Sequence, residues 1–125
     1  MDWKIELLPV PVTDIDRAKA FYVDQLGFNA DHDITVNEDL RFVQLTPPGS
    51  ACSIVLDLNM TEMPAGSLKG IQVVVASADA AREHLVAQGV EAGEVQDLPW
   101  GRFVVFSDPD GNSWAIQEIP VREAG

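Results

Sequence analysis

The chain has 125 residues with 46% apolar content, which is enough for one domain that buries a hydrophobic core. Twenty acidic against eight basic residues give a formal net charge of -12, which disfavours the polyanions nucleic acid and anionic membrane as partners. The lone Cys52 rules out an internal disulfide and a thiolate zinc cluster, and without a leader pattern or a membrane-length apolar run we expect a cytoplasmic protein.

The first half of the sequence predicts the element order βαβββ. Residues 3–12 form an apolar strand, in which Pro9 and Pro11 favour an edge position because proline has no N–H to donate to a ladder. A helix over residues 15–26 follows, and Asp14 can cap its first turn. Turn residues then separate three further strands, at residues 28–33, 40–46 and 53–58.

The second half repeats this order after a connector at residues 60–69. A strand at residues 70–76 precedes a helix that Ser77 can cap, and another strand follows at residues 91–96. The run Asp108-Pro109-Asp110-Gly111 predicts a tight turn, because proline presets one turn dihedral and glycine accepts positive φ. This turn joins the two strands of a hairpin, at residues 102–106 and 114–119.

The last strand has two different faces, because successive side chains of a strand point in opposite directions. We assign Trp114 and Ile116 to the face that packs against the helix layer and therefore to the core. Ser113, Ala115 and Gln117 share the opposite face.

Constant spacing between the halves indicates a duplicated unit. The helix-ending glycines Gly27 and Gly89 stand 62 positions apart, and Arg41 and Arg102, each followed by Phe-Val, stand 61 apart. The sequence therefore predicts an α+β fold of two tandem βαβββ modules within a single domain, residues 1–125. The first module covers residues 1–59, the linker 60–69 and the second module 70–120.

Four motifs of the chain resemble the vicinal oxygen chelate superfamily: Val12-Thr13-Asp14, the Arg-Ala-Lys-Ala-Phe-Tyr run at residues 17–22, Leu26-Gly27-Phe28, and the Asp-Pro-Asp-Gly-Asn turn at residues 108–112. That superfamily holds glyoxalase I, extradiol dioxygenases, fosfomycin-resistance enzymes and bleomycin-binding proteins. The resemblance implies sheets that curl around a shared cleft, commonly completed by dimerisation. We therefore expect a homodimer.

The resemblance also implies where metal ligands would stand, on the first and last strands of each module. Those positions fall on Leu7, near Gly70, on Ala115, and on Ser53 or, with a shifted register, Val55 or Asp57. Aliphatic side chains and glycine offer no lone pair, whereas a divalent transition metal needs three or four protein donors. We predict no metal and no other cofactor. A shifted register that turns Glu6, Asp57, Gln72 or Gln117 inward remains an alternative.

The two histidines do not supply the missing donors. His32 lies between Asp31 and Asp33, and neighbouring strand residues point to opposite faces, so we expect an exposed strand end and no joint site. His84 falls at a solvated position of the second helix, between Glu83 and Leu85.

The remaining cleft-facing positions predict an apolar pocket with a few polar points, which is typical of a small-molecule site. No catalytic motif stands in the sequence, so catalytic residues are not assigned. The predicted ligand-binding residues are Trp3, Ile5, Leu7, Asp57, Gln72, Val74, Trp100, Ser113, Ala115 and Gln117, with Met63 on a nearby loop.

The predicted function is metal-free binding or sequestration of a small organic molecule, apolar or cationic, of the kind that the resemblance to bleomycin-binding proteins implies. One alternative is a glyoxalase-like lyase, isomerase or dioxygenase with a non-standard metal site. Another is an accessory domain whose predicted pocket residues pack a closed core and bind nothing.

Overall fold

The computed structural model describes residues 1–120 and divides the chain into two compact units. The first unit consists of Met1–Leu68 together with Asp108–Asn112, and the second of Lys69–Ser107 together with the chain from Ser113 onwards. Each unit holds one four-stranded mixed sheet, and helical residues are few. This is the predicted α+β fold of two tandem βαβββ modules.

The first unit follows the predicted element order. Its sheet has the strand order β1-β4-β3-β2, in which β1 is parallel to β4 and the other neighbours are antiparallel. The first strand is shorter than predicted, because the residues before Leu7 adopt no regular secondary structure. The elements are β1 Leu7–Pro11, α1 Ile15–Ala20, a π-helical turn Phe21–Gln25, β2 Asn29–Thr35, β3 Arg41–Thr46 and β4 Ser53–Asp57.

The first helix begins and ends where the sequence predicts. The carboxylate of Asp14 accepts a hydrogen bond from the backbone N–H of Arg17, 3.0 Å away, and Gly27 follows the last helical residues with φ +83°. The second half of this helix is a π turn, in which the N–H of Leu26 bonds the carbonyl of Phe21 five residues earlier. No signal in the sequence predicts this wider turn.

Strand β1 is the edge strand that its two prolines predict. The N–H of Val12 bonds Asp57 and the carbonyl of Glu6 bonds Ser53, so the even-numbered residues of β1 carry the ladder to β4. The positions of Pro9 and Pro11 therefore face the outer edge, where a missing N–H removes nothing from the ladder and blocks further strand pairing.

The second unit has the same strand order as the first, β5-β8-β7-β6, with β5 parallel to β8. This equivalence confirms the predicted repeat, and Arg41 and Arg102 occupy corresponding strands, β3 and β7. The helix is capped by Ser77, and Gly89 follows it with φ +79°. The elements are β5 Ile71–Val75, α2 Ala78–Ala87, β6 Gln96–Leu98, β7 Gly101–Ser107 and β8 Ser113–Glu118.

The prediction of a strand at residues 91–96 is wrong for all of these residues except Gln96. Ala92 makes only an isolated bridge to Phe106, and β6 begins at Gln96. The carbonyl of Gly93 accepts a hydrogen bond from Nε of Arg82, 2.9 Å away, so this segment is tied to helix α2 by a side chain. No helix within residues 1–120 is long and apolar enough to cross a membrane.

Trp114 lies in the core, as predicted from its position in the last strand. Its side chain is 1% exposed and stacks on Phe106 with ring centroids 6.1 Å apart. Ile116 and Val104 share this buried face, and α2 packs against the same strands. The opposite face of the sheet therefore carries the other alternate residues of β5, β7 and β8.

A buried carboxylate organises the turn at residues 108–112, which belongs to the first unit. One oxygen of Asp108 accepts hydrogen bonds from the hydroxyl of Tyr22 at 2.7 Å and from Nδ2 of Asn112 at 2.8 Å. The other accepts the backbone N–H groups of Asp110 and Asn112. Asn112 is fully buried, and its side chain also donates to the carbonyl of Pro11, 2.8 Å away. The carboxylate is thus supplied with four donors.

Each module has an arginine that joins a helix to an edge strand. Arg41 bonds Asp16 in the first turn of α1 at 2.6 Å and Asp33 of β2 at 2.8 Å. Arg102 similarly bonds Asp79 of α2 at 2.8 Å and Asp97 of β6 at 2.7 Å. Hydrogen bonds from Arg41, and secondarily from Lys19, hold the pKa of Asp33 well below its usual range.

We expect Arg41→Gln to lower the free energy of unfolding by about 1 kcal/mol at neutral pH, because it removes two donors from Asp33. Asp33 is ionised with a depressed pKa in the folded state. Its contribution to the free energy of unfolding is therefore fully present above the pKa of the unfolded state, about 4, and is lost as the pH falls below that value. Urea unfolding at a series of pH values should show that the difference in the free energy of unfolding between Arg41→Gln and the wild type becomes smaller below about pH 4. Arg102→Gln is the matched control with a smaller expected effect, since its partners Asp79 and Asp97 are 62% and 74% exposed. Equal losses in the two variants would contradict this account.

We expect Asn112→Ala to lower the free energy of unfolding by about 3 kcal/mol, because it leaves the buried Asp108 and the carbonyl of Pro11 each short of a donor. Tyr22→Phe removes a single hydrogen bond from the same carboxylate and should cost less. Asn37→Ala is the control, since Asn37 bonds only in an exposed turn. Chemical denaturation measures all three, and a loss no greater than that of Asn37→Ala would refute the role of Asn112.

Candidate functional site

The sheet of the second unit has a helix-free face, which we define as the side turned away from α2. The strand register pairs Gln72 and Val105 with Ala115, and it pairs Val74 with Gln117. These residues therefore share one face, as the sequence predicted for Ala115 and Gln117. On β5, β7 and β8 this face carries the side chains of Gln72, Val74, Phe103, Val105, Ser107, Ser113, Ala115 and Gln117.

This face exposes apolar side chains. Val74 is 61% exposed and Val105 47%, and Trp100 in the turn between β6 and β7 is 62% exposed. Apolar residues that are exposed singly are ordinary, whereas a group of them on one side of a sheet makes that side a candidate binding surface. Six of the ten predicted ligand-binding residues lie on this face or at its edge.

The amides on this face are held in place by hydrogen bonds. Nε2 of Gln72 donates to Oε1 of Gln117 at 2.7 Å, and Nε2 of Gln117 donates to the carbonyl of Trp100 at 3.1 Å. Gly101 packs closely on this group, since a Cβ there would lie 2.9 Å from Nε2 of Gln117. Both ends of the Gln117 amide are thus engaged, while Oε1 of Gln72 has no partner within residues 1–120.

The predicted site residues of the first unit are spread more widely. Leu7 pairs with Ser53 on the side of the sheet turned away from α1, the helix-free face of this unit. Trp3 and Ile5 precede β1 and are 88% and 70% exposed, so the structure does not bring them onto the sheet. Met63 lies in the connector after β4, where its N–H bonds the hydroxyl of Thr61.

Asp57 serves a turn instead of a binding surface. Its carboxylate is buried and accepts hydrogen bonds from the N–H groups of Met60 at 2.7 Å and Thr61 at 3.1 Å, and from the hydroxyl of Thr61. These bonds close the chain reversal that follows β4, where Asn59 has φ +61°. A sequence reading cannot distinguish this role from a ligand, because both require an aspartate at a strand end.

The described residues do not fit the metal centre that the superfamily resemblance implies. Leu7 and Ala115 stand on helix-free faces without a donor atom, and Asp57 is engaged in its turn. Glu6 lies before β1, and β1 pairs with β4 in the unshifted register Leu7↔Ser53. Within residues 1–120, no group of three or more His, Cys, Asp and Glu side chains could hold a metal ion.

A β-bulge changes the arrangement predicted around His32. The register of β2 with β3 shifts between Ala30 and His32, so Asp31 is an extra residue. Asp31 accepts a hydrogen bond from the hydroxyl of Thr46, and His32 stands opposite Gln44, so both side chains lie on the helix-free face. The prediction that neighbours alternate here was wrong, because it assumed a regular strand.

Three comparisons with known proteins agree with this architecture. The sequence model of the Glyoxalase/Bleomycin resistance protein/Dioxygenase superfamily matches residues 4–116. The crystal structure of TnmS3, an antibiotic binding protein from Streptomyces sp. CB03234, is 35% identical and covers 95% of this chain and 98% of its own, with a TM-score of 0.88.

Two further relatives match over nearly their whole length. A glyoxalase/bleomycin resistance protein from Streptomyces sp. CB03234 is 37% identical, covers 91% of this chain and 99% of its own, and has a TM-score of 0.82. The uncharacterized protein YetH of Bacillus subtilis (strain 168) is 28% identical over 123 residues, which are 92% of this chain and 98% of YetH.

We expect Gly101→Ala to displace the Gln117 amide and to lower the free energy of unfolding by about 1–3 kcal/mol, because the new Cβ meets Nε2 of Gln117 and the carbonyl of Glu118 at 2.9 Å. NMR spectra should show the side-chain amides of Gln72 and Gln117 shifting together. Gly93→Ala is the matched control, since its Cβ would meet the carbonyl of Val105 at an ordinary 3.6 Å. Unchanged glutamine signals in Gly101→Ala would show that the packing does not hold this amide.

Proposed function

We propose that this chain, which belongs to the Glyoxalase/Bleomycin resistance protein/Dioxygenase superfamily, binds and sequesters a small organic molecule without a metal ion and without changing it chemically. The observation that carries the proposal is the helix-free face of the second unit. Exposed apolar side chains stand there beside a fixed amide network, in a protein whose metal-ligand positions hold Leu7 and Ala115.

The composition of this face supports a small-molecule site. Val74, Val105 and Trp100 offer apolar area, and Oε1 of Gln72 offers a hydrogen-bond acceptor at a fixed position. Pockets for small molecules generally combine a mainly apolar lining with a few placed polar groups. The formal net charge of -12 favours a neutral or cationic ligand over an anionic one.

The enzyme alternative requires groups that the described residues do not bring together. A glyoxalase-like lyase, isomerase or dioxygenase needs a metal donor set, and the aliphatic residues on the helix-free faces cannot provide one. The carboxylates with lowered pKa values, Asp33 and Asp79, are paired with arginines that join helix to strand. Their environment is explained by this structural role.

The relatives point in the same direction. TnmS3 is described as an antibiotic binding protein, and its identity of 35% over 95% of this chain supports an antibiotic-like organic molecule as the ligand. The homodimer and the cytoplasmic location stay predictions from the sequence.

A thermal-shift screen of natural-product antibiotics, with and without a chelator, tests the proposal. A ligand present at one hundred times its Kd should stabilise the protein by about 2.7 kcal/mol, or several degrees in Tm, and the chelator should make no difference. Mass spectrometry should recover the ligand unaltered, and elemental analysis of protein purified without chelator should find substoichiometric zinc, nickel, iron and manganese. Metal-dependent conversion of any compound would overturn the proposal in favour of the enzyme.

Position-specific variants locate the binding surface. Val74→Lys should lower affinity at least about tenfold, because it places a long charged side chain on the apolar helix-free face. Val86→Lys is the matched control, since Val86 is similarly exposed at 52% but lies on helix α2. Quenching of Trp100 fluorescence, identified by its loss in Trp100→Phe, provides the binding signal. Equal effects of the two lysine variants would count against this face.

A further inference from the structure

A continuous chain of hydrogen-bonded side chains crosses the helix-free face of the first unit, from β3 to β4, back to β3 and on to β2. Nε2 of Gln44 lies 3.3 Å from Oγ of Ser53, which in turn lies 2.6 Å from Oγ1 of Thr46. The hydroxyl of Thr46 donates to a carboxylate oxygen of Asp31. We call these four residues the polar relay.

The relay has a direction, because each hydroxyl has a single hydrogen to donate. Thr46 donates to Asp31, which leaves Ser53 as the donor to Thr46 and Gln44 as the donor to Ser53. Every bond therefore points towards the carboxylate. Successive bonds of this kind polarise one another and hold the terminal group in one orientation.

The two ends of the relay are accessible, whereas Ser53 between them is not. Ser53 is buried at 6% exposure, whereas Gln44 is partly exposed and Asp31 is exposed. Within residues 1–120, Oδ1 of Asp31 and Oε1 of Gln44 accept no hydrogen bond. Both unused atoms are acceptors, so the relay presents acceptors without a matching donor from the protein.

Among the described residues, no cationic side chain is paired with the Asp31 carboxylate. The nearby basic residues Lys19 and Arg41 bond Asp33, whose side chain lies on the helix side of the same strand. The bulge is what separates Asp31 from Asp33 in this way, since it puts Asp31 and His32 together on the helix-free face. The relay therefore ends in an anionic acceptor that forms no ion pair within residues 1–120.

Apolar groups stand further along the two strands that carry Asp31 and Gln44. Phe42 lies on the same face as Gln44, with its ring centroid 6.5 Å from that of His32, and Ile34 opposite it is 52% exposed. A ligand with a cationic head and an apolar body would satisfy both parts of this surface.

We infer that the polar relay is a recognition site for a protonated amine carried by an apolar ligand, with Oδ1 of Asp31 as the charged acceptor and Oε1 of Gln44 as a second acceptor. This inference rests on the proposed small-molecule binding function and names the ligand class. Thr46 and Ser53 are positioning residues, because they act on the amine only through Asp31 and Gln44.

The test compares two probes that differ in one group, 1-naphthylmethylamine, which is protonated at neutral pH, and the neutral 1-naphthylmethanol. Titrations followed by NMR should show the amine binding the wild-type protein about tenfold more tightly, with shifts at Gln44 and Ser53. Asp31→Asn should abolish this preference, because a neutral amide replaces the charged acceptor. Thr46→Val should reduce the preference only in part, since the carboxylate remains but loses its orientation.

Asp39→Asn is the matched control, because it makes the same change in net charge at an exposed turn of the same unit. It should leave the preference for the amine intact. An equal loss in Asp39→Asn and Asp31→Asn, or a preference that survives Asp31→Asn, would overturn the inference. Amide spectra of each variant verify that the fold is retained. If Asp31→Asn does not fold, the preference of Thr46→Val for the amine over the alcohol tests the inference independently.

The location of the chemical-shift changes in these titrations distinguishes the amine site from the proposed small-molecule binding function. Shifts confined to Val74 and Val105 of the second unit, with no preference for the amine, would overturn the relay site and leave the proposed binding function standing. Absence of shifts on either helix-free face, with these probes at millimolar concentration and with the antibiotics of the screen, would overturn both.

Discussion

The burial of the Asp108 carboxylate constrains the first unit more than any other single feature. An ionised carboxylate away from water is costly unless donors surround it, and here Tyr22, Asn112 and two backbone N–H groups supply them. Meeting this demand fixes the shape of the turn and the position of the Tyr22 ring on its π turn. Asn112 extends the same network to the edge strand β1 through the carbonyl of Pro11.

Duplication of one βαβββ pattern gives each unit a sheet with a helix side and a helix-free side. The helix side is specified by buried apolar residues such as Val43 and Trp114 and by the arginine that ties helix to edge strand. The helix-free side is more mixed, since it holds the buried Ser53 and Val55 in the first unit and the exposed Val74 and Val105 in the second. In the second unit the exposed valines stand beside glutamines, and in the first unit Ser53 belongs to the polar relay.

The superfamily includes dioxygenases as well as bleomycin resistance proteins, so one fold carries different functions. Leu7 and Ala115 offer no donor atom at positions where the resemblance implies metal ligands. Recognition by apolar contact and hydrogen bonds, as we propose, needs no such donor. The proposed amine site fits this interpretation, since Asp31 is anchored by hydroxyl groups and not by a metal or a lysine. Sequestration requires only such recognition, without a group that transfers protons or electrons.

The sequence by itself determined the features that depend on neighbouring residues: the helix caps Asp14 and Ser77, the stops at Gly27 and Gly89, the hairpin turn, the repeat, and the alternation that buries Trp114. These signals are local, because a cap or a turn is formed by residues only a few positions apart. Tertiary structure decided the start of β1, the π turn, the late start of β6, the turn role of Asp57 and the bulge at Asp31. The strand bounds and the bulge depend on a partner strand or on a distant donor, such as Thr46 for Asp31, and a bulge without glycine leaves no mark in the sequence. The π turn and the Asp57 turn are closed by local hydrogen bonds, but the same residues also fit an ordinary helix and a ligand position. The candidate site was therefore predictable where strands alternate regularly, on β8, and not where pairing with another strand sets the register.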